Sequence, residues 1–299
     1  MTNARGAGGP GDGGECGRGD VRGAEASGPQ AQDARGTAVA AAALTRSYGS
    51  LVAVDQASFS VRDGEIFGLI GPNGAGKTTL LKMLTTLLPP TSGTARVAGF
   101  DIRSGAGAVR RSIGYVPQLL SADGELTGYE NLMLSARLYL IARRERAGRI
   151  EQALREMGLF EARDRLVRGY SGGMIRRLEI AQSTLHRPHV VFLDEPTVGL
   201  DPVGRRAVWE HVRSLRADNG AAIVLTTHYM EEAEELCDRI GVMDSGRIAA
   251  VGSPQQIKEM AGPGATLEDA FAALTGAALE SHGDLRHVRQ ERAGERSHG

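Results

Sequence analysis

At 299 residues with 41% apolar side chains the chain can bury a core for one large domain or two small ones, which excludes a wholly disordered polymer. Thirty-five basic against thirty-six acidic residues leave a formal net charge of −1, so no global field favours nucleic acid, and none is expected as a partner. Cys16 and Cys237 lie in unrelated contexts, which argues against a disulfide framework or a zinc site. No apolar run approaches the roughly eighteen residues a membrane helix needs, and the first forty lack the apolar core of a secretory signal, so a soluble, cytoplasmic chain is expected.

In chain order, residues 1–38 read as a disordered Gly/Ala-rich arm, because residues 1–36 hold eleven glycines and, after Met1, Val21 as the one sizeable aliphatic side chain. Short apolar strands then alternate with helical segments, the pattern of an α/β domain with a largely parallel sheet. Leu51 to Val61 is strand-like, and Glu65 to Ile70 leads into GPNGAGKTT. A helix follows, with Leu80, Leu81, Leu84, Leu87 and Leu88 on one apolar face and Pro89-Pro90 as its expected stop.

Strand, glycine loop and helix in that order form the setting of a phosphate-binding loop. Its residues Gly71, Pro72, Asn73, Gly74, Ala75, Gly76, Lys77, Thr78 and Thr79 are the candidate nucleotide contacts. Backbone N–H groups and the helix's positive end face the phosphates, Lys77 reaches the β- and γ-phosphates, and the Thr78 hydroxyl is offered to magnesium. Further on, HVVFLDEPT is too short for a helix and ends in two carboxylates, so a buried parallel strand delivers Asp194 and Glu195 to the sheet's carboxyl edge. Asp194 is the expected magnesium ligand through its water shell, and Glu195 the group that polarises an attacking water.

Between these motifs lies RGYSGGMIRRLEIAQ, residues 168–182, a serine and two glycines in front of a helix. This stretch resembles the signature of the ABC ATPase family, usually L-S-G-G-Q, with Tyr170 in place of the leucine and Met174 in place of the glutamine. Gln118 in GYVPQ resembles the family's Q-loop glutamine, Gly199-Leu200-Asp201 its D-loop, His228 its switch histidine and Tyr48 the aromatic that stacks on adenine; the resemblance spans about residues 40–255.

Membership of that family implies a P-loop ATPase fold: a RecA-like parallel-sheet core, an antiparallel β subdomain and a helical signature subdomain. It also implies ATP and Mg2+, with Gln118 joining Thr78 and Asp194 around the metal and His228 assisting Glu195. Two copies, or this chain and a paralogue, would pair head to tail, so that Ser171, Gly172, Gly173 and Asp201 of one meet the nucleotide bound by the other. The form Y-S-G-G-M is similar to the branch that energises drug and small-molecule exporters whose permease is a separate integral-membrane chain. That places the protein on the inner face of the membrane, docked through the groove between core and helical subdomain. A second function class, a soluble ABC ATPase acting on nucleic acid or ribosomes, has relatives with tandem ATPase domains, a long coiled coil or zinc-binding cysteines. This chain carries none of these, which favours export.

The expected layout is an ATPase domain over 39–256 with its helical subdomain at about 119–170. In that subdomain Thr127 and Glu130 can form a capping box, and Ile150, Ala153, Leu154 and Met157 share a face. A short helical extension follows over 257–278, its second helix capped by Thr266 and Asp269 and stopped by Gly276, and then a disordered tail over 279–299. Trp209, His186 and His189 read as structural, with no chemistry around the indole, and Cys237 as a small buried hydrophobe on a helix.

Overall fold

The computed structural model describes residues 36–276, so the expected tail and nearly all of the expected arm lie outside the described residues. The arm's boundary is corrected: β1 (Thr37–Tyr48) begins before residue 38, and Ala38 is already buried. β2 (Leu51–Arg62) returns antiparallel to β1. β3 (Ile66–Ile70) is buried at every position, as expected for a strand covered on both faces, and leads through the glycine loop into α1 (Lys77–Leu84).

α1 stops earlier than the sequence predicts. Thr86 adopts φ +63° and donates its N–H to the Met83 carbonyl, while the Leu87 N–H reaches back to the Lys82 carbonyl. This is a Schellman cap built by a threonine, and it ends the helix before Pro89-Pro90 is reached. Leu87, expected on the buried face, is consequently exposed.

β4 (Ser92–Val97) and β5 (Phe100–Asp101) complete a four-stranded antiparallel sheet in the order β2-β1-β4-β5. After α2 (Ala106–Ser112) and β6 (Ile113–Val116), the chain enters the helical region with α3 (Gly128–Leu138) and α4 (Arg143–Glu156). The α3 capping box forms as its residues predict, with Thr127 and Glu130 bonding reciprocally, and Ile150, Leu154 and Met157 bury the face of α4. α5 (Gly172–Thr184) follows, and β7 (Val190–Asp194), α6 (Pro202–Asn219), β8 (Ala222–Thr227), α7 (Met230–Leu236), β9 (Arg239–Asp244) and β10 (Arg247–Gly252) complete the second sheet. α8 (Pro254–Ala261) and α9 (Leu267–Thr275) close the described chain, α9 with the Thr266–Asp269 capping box and a left-handed Gly276.

The second sheet has the order β10-β9-β3-β8-β7-β6, parallel except where β10 turns back on β9. Alternate side chains of its central strands feed two cores. Phe67, Leu69, Phe192 and Val224 pack with Leu80, Leu81 and Leu84 of α1 and with the antiparallel sheet, and Phe59 stacks on Phe67 at 5.2 Å between ring centres. Ile66, Ile70, Leu193 and Leu225 pack toward α5, α6 and the helical region. Truncating a fully buried ring such as Phe192 to alanine would cost about 3–5 kcal/mol. Neighbouring parallel strands β3, β8, β7 and β6 all deliver their carboxyl ends to one edge, which is where such sheets place ligands.

Candidate active site

Four segments leave that edge: the loop after β3, the histidine after β8, the carboxylates at the end of β7 and the glutamine after β6. The loop is shaped by its glycines. Gly76, the cap of α1, has φ +100°, and a Cβ there would lie 2.4 Å from the Ala53 carbonyl oxygen. A Cβ on Gly71 would lie 2.3 Å from the Met243 carbonyl oxygen. Pro72, Asn73 and Gly74 are exposed at the crest, Ala75 is buried beneath it, and no side chain caps the first turn of α1. Its free N–H groups, including those of Thr78 and Thr79, are therefore available to an anion.

Lys77 is 5% exposed, and its ammonium donates to the carbonyls of Gly71 at 2.7 Å and Pro72 at 3.1 Å. Burial pulls its pKa down, and the charge of Glu195 works against that shift. Nζ of Lys77 lies 3.5 Å from Oε1 of Glu195, and Nδ1 of His228 lies 3.3 Å from the other oxygen, Oε2. Glu195 holds this place with a backbone φ of +49°, a left-handed conformation unusual outside glycine. Its N–H donates to the Thr226 hydroxyl at 2.9 Å, so β8 fixes the turn that aims the carboxylate.

Asp194 is fully buried. Its Oδ1 accepts from the hydroxyls of Thr226 at 2.7 Å and Thr78 at 3.1 Å, whereas Oδ2 is buried without a hydrogen-bond partner. A buried carboxylate oxygen with nothing to satisfy it, beside a threonine hydroxyl, fits a small hard cation. Thr78 and Asp194 are thus the residues that could hold Mg2+.

The structure thereby brings together Lys77, Thr78, Asp194, Glu195 and His228. Gln118 is exposed, and no hydrogen bond joins its side chain to Asp194 or Thr78 among the described residues. Tyr48 sits at the end of β1 in the antiparallel sheet, 46% exposed, with the Arg46 guanidinium 4.6 Å from its ring centre. One ring face is thus occupied by a cation.

The serine and two glycines are separate from the loop. α5 starts at Gly172, two residues before the expected Met174, because Ser171 is its N-cap and accepts the Met174 N–H. Ser171 and Gly172 are exposed and Gly173 half-buried, and no hydrogen bond or ion pair links them to residues 71–79 among the described residues. Asp201 is likewise exposed and caps α6, accepting from the Gly204 N–H. Of the two departures from the usual signature, Tyr170 is buried and its hydroxyl donates to the Ala162 carbonyl at 2.7 Å, and Met174 lies against the core.

Two features escape sequence reasoning. Trp209 does have chemistry around it, correcting the expectation of plain packing: its indole N–H donates to Oε1 of Glu232 at 3.0 Å, and the Thr197 hydroxyl donates to the same oxygen at 2.9 Å. Glu232 is fully buried, and desolvation raises its pKa. The second is Arg176 on α5, buried against the carbonyls at the end of β7; its spacing of three from Glu179 on the buried face was the available signal. His186 stacks on Tyr139, and Cys237 is buried as expected but caps α7 instead of lying within it.

The family model described as ABC transporter matches residues 54–198. The chain is 47% identical over 228 residues to the daunorubicin/doxorubicin resistance ATP-binding protein DrrA of Streptomyces peucetius, covering 75% of this chain and 68% of that protein. It is 44% identical over 220 residues to the Nod factor export ATP-binding protein I of Mesorhizobium japonicum, covering 74% of this chain and 64% of that one. A solved structure titled as the ATP binding subunit of an ABC transporter superposes with TM-score 0.73 at 31% identity, over 80% of this chain and 99% of the other.

Proposed function

Because this chain belongs to the ABC transporter family as an ATP-binding ATPase subunit, we propose that it hydrolyses ATP to drive export of a drug or other small molecule through a separate membrane permease. The observation that carries the catalytic part is Glu195 standing between Lys77 and His228 beside an unpartnered Asp194 oxygen.

Lys77 exchanges its carbonyl and carboxylate partners for the β- and γ-phosphates when nucleotide fills the loop. Release of Lys77 frees Oε1 of Glu195 to accept a proton from the attacking water, with His228 standing beside Oε2. Thr78 and Asp194 would hold magnesium, which would supply positive charge to shield the phosphates. Gln118 moves in from the exposed position it occupies here.

Ser171, Gly172 and Gly173 do not meet their own chain's loop, which supports their serving a second ATPase chain, through a hydroxyl, a backbone N–H and the start of α5. Ser171 must then exchange its capping bond to Met174 for the phosphate.

Among the described residues no helix is long and apolar enough to cross a membrane, so transport requires a partner that does. Leu134 and Leu138, one turn apart on α3, are 46% and 72% exposed, and Leu119, just past Gln118, is 82% exposed. These exposed apolar side chains, two on α3 and one next to Gln118, support docking of a permease on the helical region, with the chain peripheral on the inner membrane face. Relatives named for drug resistance and for Nod factor export are 47% and 44% identical to this chain, which supports the reading that the permease and not the ATPase selects the cargo.

ATPase assays with size-exclusion chromatography test the reading. Glu195→Gln should bind ATP, hydrolyse it at least about a hundredfold more slowly and accumulate as a dimer. Wild-type turnover in that variant would refute the assignment of Glu195.

A further inference from the structure

Arg176 sits on α5 one turn past Ser171 and is 3% exposed. All five of its N–H donors are used. Nε donates to the Pro196 carbonyl at 3.0 Å, and Nη2 to the carbonyls of Asp194 at 3.1 Å and Glu195 at 3.0 Å. Nη1 donates to the Pro117 carbonyl at 2.6 Å and to Oε2 of Glu179 at 3.2 Å. Glu179, equally buried, turns its other oxygen to the Ser121 N–H, the Ser121 hydroxyl and the Ala122 N–H.

One buried ion pair therefore grips three structures at once. It holds the three carbonyls that turn the chain at the end of β7, and it brackets Gln118 through Pro117 on one side and Ser121-Ala122 on the other. Both groups ride on α5, whose N-cap is Ser171. Burying a charged pair costs several kcal/mol in desolvation, and an apolar pair of similar volume would fill the space without that penalty. What an apolar pair lacks is direction: a guanidinium fork fixes the relative positions of its acceptors. The left-handed turn at Glu195 needs fixing, since Thr226 restrains its N–H from one side and Arg176 its carbonyl from the other.

We propose that Arg176, oriented by Glu179, is a positioning residue that couples the Ser171–Gly173 turn to Gln118 and to the Glu195 carboxylate of the same chain. Engagement of that turn by a partner's nucleotide would shift or lock α5, and the fork carries the displacement to the chain's own catalytic carboxylate. The inference rests on Glu195 being the group that polarises water.

Steady-state ATPase kinetics of the full-length chain test it. Arg176→Lys keeps the charge but offers one compact ammonium to acceptors spread over three segments. It should lower kcat at least about tenfold while leaving KM for ATP within about twofold. Glu179→Gln keeps an acceptor for Ser121 and Ala122 but removes the anion from Arg176, and should lower kcat about threefold with KM unchanged. Combining the two should cost no more than Arg176→Lys alone, because one path is already broken.

A kcat within about twofold of wild type in Arg176→Lys would overturn the proposal. So would additive losses, or kcat and KM worsening in step with a lower melting temperature, which mark mere loss of fold. Should Arg176→Lys fail to fold, Glu179→Gln decides: reduced kcat with unchanged KM supports coupling, and unchanged kcat overturns it. Glu195→Gln assayed alongside separates the failures, since wild-type turnover there defeats the site itself and not the coupling.

Discussion

Nζ of Lys77 and Oε1 of Glu195 stand 3.5 Å apart, both less than a tenth exposed, so the cation of the phosphate loop and the carboxylate of β7 neutralise one another. A buried charge left without its partner costs about 3–5 kcal/mol, whereas removing both charges costs far less. Lys77→Ala should therefore lose hydrolysis by at least about a hundredfold and also melt lower than wild type. Adding Glu195→Gln to Lys77→Ala should restore most of the melting temperature and none of the activity. Chemical denaturation of the two variants, measured beside ATPase rates, checks both halves.

Much of this site is legible in the residues because its chemistry is local in sequence. GPNGAGKTT and LDEPT each carry their own geometry, a glycine loop opening a helix and a short apolar run ending in acid, so strand, helix and site positions follow from few residues. What could not be read depends on groups distant in sequence. Thr226 fixes Glu195 across two strands, and Trp209 meets a carboxyl 23 residues away. The spacing of Arg176 to Glu179 hints at burial but not at what it holds, because the carbonyls of Asp194, Glu195 and Pro196 around it lie 18 to 20 residues away. The early stop of α1 was hidden for another reason: Thr86 takes a left-handed conformation that its side chain gives no cause to expect, ahead of the prolines that looked decisive.

Ser171 has two duties in this account, capping α5 and serving the partner's nucleotide. Ser171→Arg should lose the cap, worth about 1 kcal/mol, and block closure by its bulk. ATP binding to the chain's own loop should stay within about twofold of wild type in a fluorescent-nucleotide titration, while ATP-dependent dimerisation disappears. Loss of binding itself would contradict a split site.

His186 stacks on Tyr139 with ring centres 3.7 Å apart and holds the Ile113 carbonyl through Nε2. Burial, partly offset by that hydrogen bond, lowers its pKa from 6.5 to about 4. The unfolded chain binds the proton first, so stability from the neutral ring is fully present above about pH 6.5 and is lost as pH falls toward about 4. The loss should be on the order of 2 kcal/mol once the part of the ring that water reaches is discounted. His186→Phe, which keeps a ring against Tyr139, should flatten that part of the stability curve.

Glu232 gives the opposite slope. Desolvation raises its pKa above the ordinary 4.5, against the hydrogen bonds that work to lower it, so the folded chain keeps a proton that the unfolded chain releases. Its contribution is present below about pH 4.5 and declines as pH rises through the folded value. Glu232→Gln keeps an oxygen for Trp209 and Thr197, and its melting temperature relative to wild type should rise as pH goes up from about 4.5. Parallel melting curves above that pH would contradict a buried ionisable carboxyl.

The most direct test of the central claim, that this ATPase works on a separate membrane permease, is a pull-down of tagged Glu195→Gln protein from gently solubilised membranes with ATP present, read by mass spectrometry. Recovery of a polytopic membrane protein, lost when ATP is withheld or when Leu134 and Leu138 on the exposed face of α3 are changed to charged residues, is the predicted result. Recovery of ribosomes or nucleic acid with no membrane protein would contradict it and point to the soluble class of ABC ATPase instead.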